Sequence, residues 1–142
     1  MSKQVISNLV YVQFDIPIVH RWNPEYVGKN PPASHSYLVH PHRHVSKWKV
    51  CFKQTASRDI EFLEALDYCN NAASTGMFFH CEKIVLDQTN ERGYDVCFEA
   101  SCEDFAVAFT KALKSINESL YDALHSVEVS EDGENGAILT FA

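Results

Sequence analysis

Residues 42–53, HRHVSKWKVCFK, alternate without a break. His42, His44, Ser46, Trp48, Val50 and Phe52 share one parity, and Arg43, Val45, Lys47, Lys49, Cys51 and Lys53 share the other. Side chains two apart on a strand point to the same face, so this split predicts an antiparallel strand with one buried and one solvated side. Residues 8–22 behave alike, with Val10, Val12, Phe14, Ile16, Ile18, His20 and Trp22 on one parity and Leu9, Tyr11, Gln13, Asp15 and Pro17 on the other. Pro17 lacks a backbone N–H and predicts an edge or a bulge. Two long amphipathic strands confine the chain to a sheet-based architecture. Each carries histidine on its apolar parity, and something must satisfy those ring nitrogens.

The remaining segments complete an α+β pattern. From Asp59 to Asn71 the period changes, and Ile60, Leu63, Leu66 and Cys69 predict a short helix. Residues 77–100 predict a hairpin, MFFHCEKIVLD and YDVCFEA around QTNERG. A second helix opens at Ser101 with Asp104 as its capping-box partner, and Phe105, Phe109, Ala112, Leu113, Ile116 and Leu120 form its apolar stripe. SVEVSE and AILTFA around DGENG predict a closing hairpin. Residues 23–41, with Pro24, Pro31, Pro32, Pro41 and Gly28, predict a long irregular loop, a kind that is usually functional or disordered.

The chain has 142 residues, enough for one domain spanning 1–142 with a modest core. Its net charge of -7 argues against general nucleic-acid binding, which usually needs a basic surface. Arg43, Lys47, Lys49 and Lys53 make a local basic group, best read as a solvated strand face. No apolar run approaches the roughly 18 residues of a membrane span, and MSKQVISNLVYVQF lacks a signal-peptide layout. The five cysteines are scattered, with no Cys-x-x-Cys pair, which fits a reducing cytoplasm rather than a disulfide framework.

The histidines carry the chemistry. His20 ends the first strand, and His42 and His44 begin the second. If those strands pair antiparallel, the three imidazoles converge, and three neutral imidazoles with one open position form the ligand set of a catalytic zinc site. His42 and His44 would project from one face about 7 Å apart. The competing reading makes them rim residues, solvent-facing or paired with Asp15 or Glu25. His40 reads as a bystander, His35 and His125 as structural, and His80 as ambiguous within the middle hairpin.

The order of short motifs resembles a known family. HRW at 20–22, HRH at 42–44, IEF at 60–62, SCEDFA at 101–106 and SVEVSEDGENGA at 126–137 follow one another as in the 6-pyruvoyl-tetrahydropterin synthases and the 6-carboxy-tetrahydropterin synthases of queuosine biosynthesis. The same motifs are similar to those of uncharacterised tailed-phage proteins. The resemblance implies a tunnelling fold (T-fold): an antiparallel four-stranded sheet with two helices on one face, here with an extra hairpin at 77–100. It implies a homo-oligomer, trimer or hexamer, with sites between subunits. It implies Zn2+ on His20, His42 and His44, and a pterin, purine or nucleotide ring held by Glu131, with Glu134 a weaker candidate. A carboxylate suits that task because it accepts two hydrogen bonds from adjacent ring N–H donors.

Two departures qualify the implied lyase chemistry. The family's catalytic cysteine falls on Leu38, and no cysteine occurs in 23–41. The family's Asp-His pair falls on Asp87 and Gln88. The metal-binding half persists while the acid-base half is lost, leaving Asp87, His80, Ser36 or Tyr37 to handle protons. Asp132 stands where the family has threonine. The expected functions are therefore a zinc-dependent enzyme acting on a pterin, purine or nucleotide, a non-catalytic binding protein on the same scaffold, or a structural oligomer with vestigial histidines.

Overall fold

Strand β1 (Leu9–Arg21) pairs antiparallel with β2 (His42–Lys53) in one continuous register, from Leu9 opposite Lys53 to His20 opposite His42. The computed structural model in which this ladder is seen describes residues 3–21, 42–54, 59–87 and 95–142. Residues 23–41, expected as a loop and including Leu38, His35, His40, Ser36 and Tyr37, lie outside the described residues, as do Trp22 and residues 88–94 with Gln88.

The parities read from sequence are those of the sheet. Val12, Ile18 and His20 are buried on β1, as are Ser46, Trp48, Val50 and Phe52 on β2. Trp48 anchors this face. Its ring stacks on Phe14 at 5.5 Å between centroids and meets Phe109 at 5.7 Å. Its indole N–H donates to Ser46 Oγ, which donates to the Ile16 carbonyl, so the buried hydroxyl is satisfied. On the other face Lys47 meets Asp15 and Lys49 lies over the Tyr11 ring. Those lysines are partnered within a solvated surface.

The described strands form one sheet in the order β3-β4-β1-β2-β5-β6. β5 (Leu124–Glu131) and β6 (Asn135–Thr140) form the expected closing hairpin on the far side of β2. β3 (Lys83–Asp87) and β4 (Asp95–Glu99) form the extra hairpin, and β4 joins β1 in parallel at two positions, His20 with Phe98 and Arg21 with Glu99. The hairpin therefore widens the sheet. Among the described residues β1 pairs with β4 at that end alone, and Pro17 lies opposite Val45 on a stretch with no second described strand beside it.

Among the described residues three helices pack against the sheet: α1 (Phe62–His80), α2 (Cys102–Ile116) and α3 (Glu118–Ala123). α2 begins as expected, with both bonds of the Ser101–Asp104 capping box present. Its stripe ends before Leu120, because Asn117 terminates α2 and caps α3 through its side chain.

α1 differs from the expectation. It is longer than the short helix that the spacing over 59–71 predicts, and its last turn takes up MFFH at 77–80, where the sequence pattern predicts a strand. The reason lies in how it packs. Its buried stripe is Ala65, Cys69, Ala72, Ala73, Gly76 and Met77, mostly small side chains that let it approach α2 closely. A methyl group on Gly76 would fall 2.7 Å from the Ala108 backbone. Leu63, counted in the predicted stripe, is exposed. His80 consequently sits on the last helical turn, exposed, rather than in the hairpin.

Candidate metal and ligand site

The site forms where β1 ends, β2 begins and β5 turns into β6. Strand register brings the residues there. His20 lies opposite His42, His44 lies opposite Ile18 one pleat along, and Glu131 lies across β2 from β1, opposite Ser46. His20, His44 and Glu131 each present a ligand atom within 4.8 Å of the others. Glu131 Oε1 is 2.8 Å from His20 Nε2, and Oε2 is 3.9 Å from His44 Nε2. The two imidazoles meet edge to face at 5.1 Å.

Each imidazole is oriented from behind. His20 is 4% exposed, and its Nδ1 lies 2.8 Å from the Ala100 carbonyl. A carbonyl only accepts, so Nδ1 carries the proton and donates. That carbonyl is fixed in turn, because β4 is tied to the end of β1. The Arg21 guanidinium pairs with Glu99, and the Ala100 N–H donates to the Arg21 carbonyl at 3.1 Å. Phe105, from the first turn of α2, packs on the His20 ring at 5.8 Å.

His44 is held by Asp132. Its Nδ1 lies 2.8 Å from Asp132 Oδ2, while Oδ1 accepts from the Val45 N–H at 2.8 Å. The Asp132 N–H donates to the Val45 carbonyl, also at 2.8 Å. Asp132 takes a left-handed conformation, φ 55°, at the turn, followed by Gly133 at φ 79°. The hydrogen bond from His44, with the Val45 N–H behind it, keeps the Asp132 carboxyl below its usual range. Sequence reading noted Asp132 only as a replaced threonine. The signal available was an aspartate directly after the anchoring glutamate in a tight turn.

With both Nδ1 atoms donating, the Nε2 atoms of His20 and His44 both face the Glu131 carboxylate. Lone pairs aimed at a carboxylate require a proton or a cation between them. The donor set fits a divalent transition metal: two imidazole nitrogens and a carboxylate oxygen, each imidazole fixed by an outer acceptor.

His42 stands at the margin of this group. It is exposed, with its ring centroid 6.2 Å from that of His44. Glu134 is exposed in the turn. His80 does not join the cluster. Asp87 ends β3, with its backbone opposite Asp95 on the outermost hairpin. A cleft of about 560 Å3 adjoins the site, lined by Ile16, Ile18, Met77, Phe78, Val96 and Phe98 on its apolar side and by His44, Asp132 and Arg43 among its polar groups.

The described cysteines offer no activated thiol among those with shifted acidity. Cys102, the first residue of α2, is pushed up to about 11 by burial and by the Glu131 carboxylate. Burial likewise raises Cys81 to about 11 and Cys69 to about 12, and it raises Cys97.

Neither protein-family profiles nor curated protein sequences match the chain. Solved structures do. The 6-pyruvoyl tetrahydropterin synthase of Caenorhabditis elegans is similar over 98% of this chain and 100% of its own, with a TM-score of 0.52 and 15% identity. An uncharacterized protein from Wolinella succinogenes is similar over 97% of this chain and 100% of its own, with a TM-score of 0.60 and 14% identity. At such identity the likeness is one of fold, and the fold is the tunnelling fold.

Proposed function

We propose that this chain is a single 1–142 T-fold domain that binds zinc through His20 and His44 and acts on a pterin, purine or nucleotide. The observation that carries this reading is the convergence of two Nε2 atoms, each on a ring held by an acceptor behind it, on one carboxylate. The fold shared with a 6-pyruvoyl tetrahydropterin synthase supports the ligand class. His42, opposite His20 in the ladder, completes a three-histidine set, and Glu131 beside it accepts the ring N–H donors of the ligand. The adjoining cleft has the volume of a small-ligand pocket.

Bound there, zinc would supply Lewis acidity toward a substrate oxygen or a bound water. The chain's own part is to hold the ring through Glu131 and to fix the imidazoles through Ala100 and Asp132. Proton transfer, if the protein is catalytic, falls to Asp87 or His80, and we place ligand and site between subunits of a cytoplasmic trimer or hexamer. Among the described residues no helix is long and apolar enough to cross a membrane.

A second reading keeps the ligand but not the turnover. The raised thiols favour it, since Cys69, Cys81, Cys97 and Cys102 do not replace the family's missing nucleophile. Another choice concerns the third metal ligand, because the 4.8 Å grouping favours Glu131 over His42.

Metal analysis by plasma mass spectrometry tests all of this. About one zinc per chain is expected, lost in His44→Ala. Loss in His42→Ala with retention in Glu131→Gln assigns the third ligand to His42, and the reverse assigns it to Glu131. A wild-type protein that neither carries zinc nor takes it up sinks the reading. Turnover of a pterin or guanine nucleotide identifies an enzyme, and a ligand released intact on denaturation identifies a binding protein.

A further inference from the structure

The Asp132 contact asks for a reason. A carboxylate at a solvent-exposed turn, in a left-handed backbone conformation that glycine or asparagine adopts more readily, gains nothing from its location alone. Its two oxygens are nevertheless both committed, one to the Val45 N–H and the other to His44 Nδ1, and its backbone N–H is committed to the Val45 carbonyl. Three bonds tie the β5–β6 turn to the start of β2. The two with Val45 fix the carboxylate before His44 meets it.

We propose that Asp132 is the positioning residue of this site, setting the tautomer of His44 so that its Nε2 faces the ligand side as a lone pair. The inference deepens the zinc reading above and rests on it for its functional meaning, but its structural content stands apart. An imidazole has one donor and one acceptor when neutral, and the partner of one nitrogen decides the role of the other. An ionised carboxylate can only accept, so it holds the proton on Nδ1. The resemblance gives a threonine here, whose hydroxyl could donate or accept and would leave the tautomer open.

The discriminating change is Asp132→Asn. Its amide has nearly the same shape but one oxygen and one NH2. With the oxygen kept on the Val45 N–H, the NH2 faces His44 Nδ1, takes its lone pair and drives the proton to Nε2. Flipped, the amide puts NH2 against the Val45 N–H and loses that bond. Asp132→Gly is the companion variant. It removes the carboxylate while suiting φ 55°, so any effect on metal binding cannot be ascribed to a strained turn.

The experiment uses chelator-treated full-length protein labelled with 15N-histidine at pH 8. Two-bond 15N–1H spectra give the tautomer of His44, and competition with a chromophoric chelator gives zinc affinity for wild type, Asp132→Asn and Asp132→Gly. Expected are an Nδ1–H tautomer in wild type, an Nε2–H tautomer in Asp132→Asn, loss of the Nδ1–H preference in Asp132→Gly, and zinc affinity weaker by roughly 10–100-fold in both variants. A wild-type His44 protonated on Nε2, or an Asp132→Gly protein that keeps the wild-type tautomer without the carboxylate, overturns the proposal whatever the affinities. If the tautomer switches as expected but wild type binds no zinc, the positioning role stands and the zinc reading fails.

Discussion

His20 and His44 look equivalent in sequence, each a histidine on an apolar strand parity, but they are held by different means. His20 is buried and leans on a main-chain carbonyl at a helix entrance, and His44 is half-buried and leans on a side chain in a turn. Mutation at Asp132 therefore touches only one of them. Cys102 is the third residue whose environment departs from what its type suggests. Placed at the first position of α2, it would ordinarily gain acidity from the helix N-terminus, but burial and the Glu131 carboxylate act the other way and win. With the thiol near 11, roughly one molecule in a thousand is thiolate at pH 8. Iodoacetamide at pH 8 is expected to leave Cys102 unmodified in native protein and to label it in urea. Rapid native labelling, located by peptide mass spectrometry, would return Cys102 to the list of nucleophiles. The convergence of His20 and His44 was legible in sequence because strand parity is a two-residue rule that needs no tertiary information, whereas His42, expected to join them, stands exposed at the margin. The partners behind the rings were not, since Ala100 and Asp132 arrive from elements 80 or more residues away.

At the scale of elements, legibility followed the size of the buried side chains. α2 announces itself with phenylalanines at helical spacing and a capping box, and β1, β2 and the closing hairpin announce themselves by alternation. The second half of α1 buries Ala72, Ala73 and Gly76, which carry little apolar signal, and then ends in MFFH, which reads as strand. That helix depends on close approach. Gly76→Ala should force its backbone away from Ala108 and destabilise the protein by about 1–3 kcal/mol, seen as a lower urea midpoint with an unchanged slope. A variant as stable as wild type would mean the helices separate freely. The start of α1 is set differently, by Glu61, whose carboxylate accepts from the Leu63 and Glu64 N–H groups. Those bonds lower its pKa, so its contribution is present above the ordinary carboxylate range and is lost as pH falls through the lowered folded value. Glu61→Gln should flatten the acid limb of stability against pH below about 4.5, and an identical limb would show that the cap carries no pH dependence.

For the whole molecule, the helices cover one face of the sheet and leave the other with Leu9, Tyr11, Val45 and Ile138 exposed. β3 and β6 are the outer strands of the described sheet and present open edges. Both features fit the proposed assembly, and light scattering should return a mass that is a multiple of three protomers. A monomer at micromolar concentration would remove the intersubunit site. The cluster itself has a kinetic side. Glu131 and His20 are separated by most of the chain, and β5 reaches them only after docking on β2. Contacts of such long sequence separation form late, because loop closure must come first. An ion cannot template the early fold here. Zinc added to a refolding mixture should leave the rate of structure formation unchanged and slow only the reverse reaction, so uptake of the ion would act as a clock for the last step of folding.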